Sequence, residues 1–251
     1  MGLAGEVVRA IEPHTEADPV AILIQYLAFF GNAVGRGPHF RVEGDRHFTV
    51  LNAVLVGQTA KSRKGTSAGR VREIFKVADE EWESQRIKSG LSSGEGLINE
   101  VRDPVEKEGE HGPELVDGGV DDKRLMILEA EFAGALTVMR RHGNILSRVV
   151  RDAWDGRDLA VLIKNKPTRA SGAHISIVGH ITADELRASL DRTSMANGYA
   201  NRFLFACVRR ARLLPPFRQW AVRVAQGPLE QVHRGPFRAM LRGSAVRHHC
   251  E

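Results

Sequence analysis

With 251 residues, 42% hydrophobic and 27% charged, the chain can bury one substantial core and falls outside the disordered and collagen-like classes. A formal net charge of +5 at pH 7 favours anionic partners, and two cysteines, Cys207 and Cys250, without CxxC spacing, argue against a disulfide framework or a structural zinc site. The longest apolar run, Val20 to Phe30, is shorter than the roughly 20 residues of a membrane span, and the N-terminus shows no signal core, so we expect a cytoplasmic protein with no membrane partner.

Asp18 and Pro19 form a cap and first-turn pair for a buried helix over Val20–Phe30, which Gly31, Gly35 and Gly37 can end. The acids and histidine ahead of it, His14, Glu16 and Asp18, read as capping residues rather than as metal ligands. An apolar strand, Leu51 to Val56, then meets Gly57 and the basic turn QTAKSRKGTS. Beyond that turn Val71, Ile74, Phe75, Ala78 and Trp82 recur at helical spacing, which predicts one helix from about Ser67 to Gln85.

Ser92 and Glu95 have capping-box spacing before Leu97 and Ile98, and a polar, glycine-rich connector from about Asp103 to Lys123 is expected to be exposed. A strand over Leu125–Leu128 ends in Glu129 and Glu131. Helical patterns follow through AGALTVMRRHG and NILSRVVRDAWDG, the second capped by Asn144 and stopped by Gly156. HISIVGHIT, His174 to Ile181, is a strand running into a Thr182/Glu185 capping box, and Arg202–Val208 is another. Strands alternating with helices predict an α/β fold with a largely parallel sheet covered by helices on both faces. From Arg209 the chain turns strongly basic; residues 216–251 are expected to form a poorly ordered or truncated basic tail, within which Gly227 to Glu251 reads alternatively as a nucleic-acid-binding segment.

A phosphate loop needs glycine where backbone amides turn toward the anion, a lysine for the outer phosphates and a hydroxyl for Mg²⁺, all at a helix N-terminus. Gly57, Lys64 and Thr66 or Ser67 supply these types. The spacing departs from G-x-x-x-x-G-K-[ST], because Ser62 stands at the second glycine, Arg63 at the lysine, and Gly65 separates Lys64 from Thr66. The bland alternative is a basic surface turn beside solvated strand-end acids.

Taken in order, GLAGEVVRAIEPHTEADP, GQTAKSRKGTS, LSSGEGL, RLMILEAEFA, GNILSRVVRDAWDG, HISIVGHIT and ANRFLFACVRR resemble an uncharacterised family of P-loop ATPase-like domains. Its members occur in phage, plasmid and other mobile-element proteins, often joined to primase-polymerase domains. The resemblance covers roughly Gly2 to Pro215. It implies a RecA-like P-loop NTPase, with residues 1–50 as a helical lead-in and 51–215 as the nucleotide-binding core, using ATP and Mg²⁺ in helicase-like or primase-associated replication. Its implied partners are nucleic acid, most simply DNA, a homo-oligomeric ring, and a primase-polymerase domain in cis or in trans.

The same resemblance makes Gly57, Thr59, Lys61, Ser62, Arg63, Lys64, Gly65, Thr66 and Ser67 the nucleotide-binding loop. Lys64 is its first candidate for phosphate, with Lys61 and Arg63 as rivals. Thr66 and Glu129 would meet Mg²⁺, with Ser67 as second choice for the hydroxyl, and Glu131 would be the catalytic base. Glu95 competes for that role, against its capping function. His180 would be a γ-phosphate sensor or a buried, hydrogen-bonded histidine. Arg202 would act on a neighbouring subunit's nucleotide or be a structural ion-pair partner. With aromatics at only 6%, stacking-based reading of bases is not expected. The competing function is a catalytically inactive nucleic-acid-binding or assembly module; a small-molecule kinase lacks an acceptor-site signature.

Overall fold

A computed structural model describes residues 2–58, 64–110, 112–161, 168–189 and 198–214. Helices Leu3–Ile11 (α1) and Pro19–Ala33 (α2) precede a hairpin of His39–Val42 (β1) and Asp45–Phe48 (β2). Strand Ala53–Gly57 (β3) is followed by helices Lys64–Ala78 (α3) and Glu80–Arg86 (α4), the short strand Ile87–Lys88 (β4) and helix Gly94–Asn99 (α5). A second hairpin, Val105–Gly109 (β5) with Gly112–Asp117 (β6), leads to strand Arg124–Glu129 (β7) and helices Phe132–Met139 (α6) and Leu146–Trp154 (α7). A third hairpin, Leu159–Val161 (β8) with Thr168–Ala170 (β9), precedes His174–Thr182 (β10), helix Ala183–Ser189 (α8) and Leu204–Val208 (β11).

Five strands form the central sheet in the order β11-β3-β10-β7-β4, and every pairing is parallel. Parallel strands need helical crossovers, so both faces of the sheet are covered, as the apolar runs in β3 and β10 require. Ala53, Leu55, Met126 and Val178 face one core, shared with α1, α2, α3 and Trp82 of α4. Val54, Val56, Leu125, Ile127, Ile175 and Ile177 face the other, shared with α5, α6 and α7 and flanked by Leu186 of α8. The first helices therefore pack into the sheet's own core.

Because α3 leaves β3 on the first face and α8 leaves β10 on the second, the carboxyl ends of these adjacent strands form a topological switch point. Open α/β sheets place their ligand crevice at such a point.

Local chemistry moved several boundaries. Helix α2 runs through Gly31 to Ala33 and turns at Gly35, with φ at +71°. Gly31 serves close packing instead of termination, since a Cβ there would meet the Thr49 carbonyl oxygen at 2.1 Å. The long helix expected from Ser67 to Gln85 is two helices, because Asp79 leaves helical geometry and its side chain accepts from Trp82 N to cap α4. The cap of α5 is Ser93, accepting from Gly96 N, and not Ser92. The box at Thr182 and Glu185 is reciprocal: Thr182 N donates to Glu185 Oε2 at 2.9 Å and Glu185 N to Thr182 Oγ1 at 3.3 Å. The exposed connector contains the ordered β5–β6 hairpin, while the short β1–β2 and β8–β9 hairpins carried no sequence expectation.

The acids before α2 have acquired partners from the far end of the chain. Glu16 pairs with Arg210 at 2.5 Å and Glu12 with Arg212 at 2.6 Å, and Asp18 accepts from Arg209 N. The segment after β11 is thereby strapped across the start of α2.

Asn32 is the polar hub beneath the sheet. Its Nδ2 donates to Leu125 O and His174 O, and its Oδ1 accepts from Trp82 Nε1 at 3.0 Å. An unsatisfied buried donor or acceptor costs about 1–3 kcal/mol. Asn32→Ala is therefore expected to lower the unfolding free energy by about 2–4 kcal/mol in urea titration. A loss below about 0.5 kcal/mol would show that the hub is dispensable.

Candidate functional site

A cleft of about 480 Å³ opens at the carboxyl ends of β7 and β10 and along α3. Gly65, Ala68, Gly69 and Arg72 line it from one stripe of α3, at the spacing of a single helical face. A Cβ at Gly65 or Gly69 would meet nothing within 4 Å, so the small residues keep this wall low. Glu129 and Glu131 line it from the end of β7, His180 from β10, and Ser89 and Gly90 from the loop after β4.

Each acid is held differently. Glu129 is 9% exposed, and its Oε1 accepts from Leu91 N at 2.6 Å, which ties the carboxylate to the loop. Glu131 is exposed at the N-cap position of α6, yet its side chain makes no capping bond. The cleft thus holds a tethered, buried carboxyl group two residues before an exposed one.

Behind His180, away from the cleft lining, lies a buried relay. His180 occupies the position beside Leu55 in the sheet register, on the face covered by α2, and its Nε2 lies 3.2 Å from Gln25 Oε1. Gln25 Nε2 donates to Ala21 O at 3.0 Å and to Ser67 Oγ at 2.5 Å, and Ser67 Oγ donates to Lys64 O at 2.7 Å. Both amide hydrogens are thus used, so Gln25 Oε1 must accept, and the neutral His180 carries its proton on Nε2. Burial, helped by the charge of Lys64, pushes the His180 pKa down to about 4. Burial also lowers the Lys64 pKa, against the opposing effect of Glu185.

Of the nucleotide-loop candidates, Thr59, Lys61, Ser62 and Arg63 lie outside the described residues. Gly57 ends β3 in register with Thr182 and Val208, and Lys64 is the first residue of α3 and only 8% exposed. Ser67 is fully buried with its proton committed to Lys64 O, whereas Thr66 is exposed. Glu129 lines the cleft and Thr66 does not; a hydroxyl and a carboxylate are hard oxygen donors of the type Mg²⁺ takes, with phosphate and water completing its shell. Among the described residues no group of three His, Cys, Asp or Glu side chains could hold a metal without such help.

Two candidates fall elsewhere. Glu95 is exposed in the first turn of α5 and is not in the cleft lining. Arg202 precedes β11, at the amino end of the sheet, where it donates to both Asp155 oxygens at 3.2 and 3.4 Å and lies over the Trp154 ring. It is an ion-paired residue remote from this chain's own cleft.

Sequence reasoning missed Gln25 and Arg72. Gln25 sits inside an apolar helix and only the fold shows what it faces. Arg72 lines the cleft while its Nε donates to Glu83 Oε1 at 2.7 Å, a pairing that depends on the break at Asp79. Compared with known proteins, the chain matches no family model and no curated protein.

The buried histidines give a pH signature. Burial holds both His174 and His180 at about 4. The unfolded chain, with ordinary imidazoles near 6.5, therefore takes up protons that the folded chain refuses. Stability should fall as pH drops from about 6.5 to 4, by up to about 1.4 kcal/mol per pH unit for each histidine. His180→Gln should flatten that slope in denaturant titrations across this window; an unchanged slope would show that His180 is protonated in the folded protein.

Proposed function

We propose that the chain is a RecA-like P-loop ATPase domain that binds ATP with Mg²⁺ in the cleft and hydrolyses it to act on nucleic acid, as a helicase-like or primase-associated unit of mobile-element replication. The observation that carries this reading is the convergence of Gly65, Glu129, Glu131 and His180 on one cleft at the carboxyl ends of β7 and β10, next to the switch point between β3 and β10. The insertion of β10 between β3 and β7 supports it further, because it sets His180 between the loop strand and the acid-bearing strand.

In this mechanism the N-terminus of α3 and Lys64 receive the phosphates, and the low-dielectric surroundings that depress the lysine's pKa strengthen its pull on an anion. Thr66 and Glu129 would hold Mg²⁺, which would supply charge neutralisation on the phosphates. Glu131, free of capping duty, orients the attacking water and accepts its proton. His180 reads the outer phosphate, and the relay through Gln25 and Ser67 fixes its ring relative to Lys64. In an oligomeric ring Arg202 would reach a neighbouring subunit's nucleotide only after leaving Asp155. The pieces of the RKGTS turn and the family resemblance agree with this assignment, and a primase-polymerase partner follows from the resemblance alone.

A second reading, a fold kept for nucleic-acid binding or assembly without turnover, is favoured by the same relay, which already uses the His180 proton. Phosphate release from Mg-ATP separates the two. The ATPase reading expects turnover by the wild type and a loss of about 100-fold or more in Glu131→Gln, with nucleotide binding retained. Wild-type binding without any phosphate release would establish the silent module instead.

A further inference from the structure

The β1–β2 ribbon stands clear of the protein, with all of β1 and most of β2 exposed. A two-stranded hairpin that buries so little is marginal on its own account. Its register pairs His39 with Phe48 and Arg41 with Arg46, and these directly opposed residues share one face. Phe40, opposite His47, and Val42, opposite Asp45, lie on the reverse face.

The first face concentrates positive charge. Arg41 and Arg46 are like charges held directly opposite each other, an arrangement that destabilises a ribbon, and among the described residues neither forms an ion pair. Arg46 also bears on Arg36, whose guanidinium lies 4.0 Å from the centre of the Phe48 ring. Arg36 is anchored by the carbonyls of Ala173 and Gly156, so the root of the ribbon is fixed to the body. Arg157, with a side chain 69% exposed, follows Gly156, whose backbone abuts Phe48. Of the neighbouring acids, Asp158 pairs with Arg169, Asp155 with Arg202 and, at 3.9 Å, with Arg157, and Asp152 with Arg157 at 3.8 Å, while Glu43 is exposed in the turn between the two strands. Asp45 belongs to the other face.

Aromatic rings are interleaved with these cations. The His39 and Phe48 rings lie 5.8 Å apart, and His39 is exposed. The low overall aromatic content thus conceals a local HFRV and DRHF cluster. Cations spaced beside exposed rings suit a flexible strand whose phosphates meet arginine and whose bases stack.

We propose that the Arg41/Arg46 face of the β1–β2 ribbon binds the phosphate backbone of single-stranded nucleic acid, with His39 as a stacking surface. This deepens the nucleic-acid part of the proposed function and places that partner at the amino end of the sheet, opposite the cleft. Helix α2 links the two, carrying Gln25 against His180 of the cleft and leading toward the ribbon beyond Gly35.

The test is fluorescence anisotropy with labelled dT30 and rU30 strands and a 30-base-pair duplex, over a salt series. Arg41→Ala with Arg46→Ala should weaken single-strand binding at least tenfold at about 0.1 M salt, and should lower the log–log salt slope by about 1.4, for two lost phosphate contacts. His39→Ala should weaken single-strand binding roughly fivefold or more, as loss of a stacked base would. Phe40→Ala, on the reverse face, should stay within about twofold of wild type. The dT30 and rU30 arms distinguish a DNA from an RNA partner. No wild-type binding, an unchanged salt slope in the double variant, or equally tight duplex binding would overturn the proposal. Mg-ATP stabilisation of the double variant is read in parallel as a folding control. Its absence in wild type, with strand binding still lost in the double variant, would count against the ATPase reading and leave the ribbon assignment standing.

Discussion

Gln25 and Asn32 lie on one stripe of α2, about two turns apart, and carry amides into an otherwise apolar contact with the sheet. Asn32 binds the strands near their amino ends, through Leu125 O and His174 O. Gln25 binds His180 and Ser67 near their carboxyl ends. Apolar packing alone would tolerate a small slide of the helix, whereas two amides with every donor and acceptor engaged admit one register. The first residues of α3, and with them Lys64, inherit their place from this clamp.

Chemistry at the cleft depends on that placement more than on the spelling of the loop. Glu129 is held by a backbone N–H, Glu131 is exposed, and Lys64 and His180 are both pushed toward their neutral forms by burial. Burial thus disfavours the charged forms of both side chains.

Much of this was legible in the sequence because it rests on local rules. The apolar runs of β3, β7 and β10 showed a parallel sheet, and the acids at the end of β7 stood out as polar residues closing an apolar strand. The Thr182–Glu185 box and the turn at Gly156 followed from capping and glycine chemistry. What escaped depends on pairing between distant segments. No periodicity shows that Gln25 meets a histidine of β10, that Glu16 is claimed by Arg210, or that Arg202 rests on Asp155. The split at Asp79 escaped for a different reason: the apolar stripe continues across the break, and only the cap marks it. The β1–β2 ribbon was hidden because its residues alternate without burying a face.

The most direct test of the central claim is thermal unfolding of the wild type and Lys64→Ala, each with and without millimolar Mg-ATP. A ligand that binds only the folded state stabilises it by about 2.7 kcal/mol at a hundredfold excess over Kd, whether or not turnover follows. The account predicts a clear rise in Tm for the wild type that is lost in Lys64→Ala. If both proteins are folded and Mg-ATP shifts neither, or shifts both equally, the cleft beside Lys64 is not a nucleotide site.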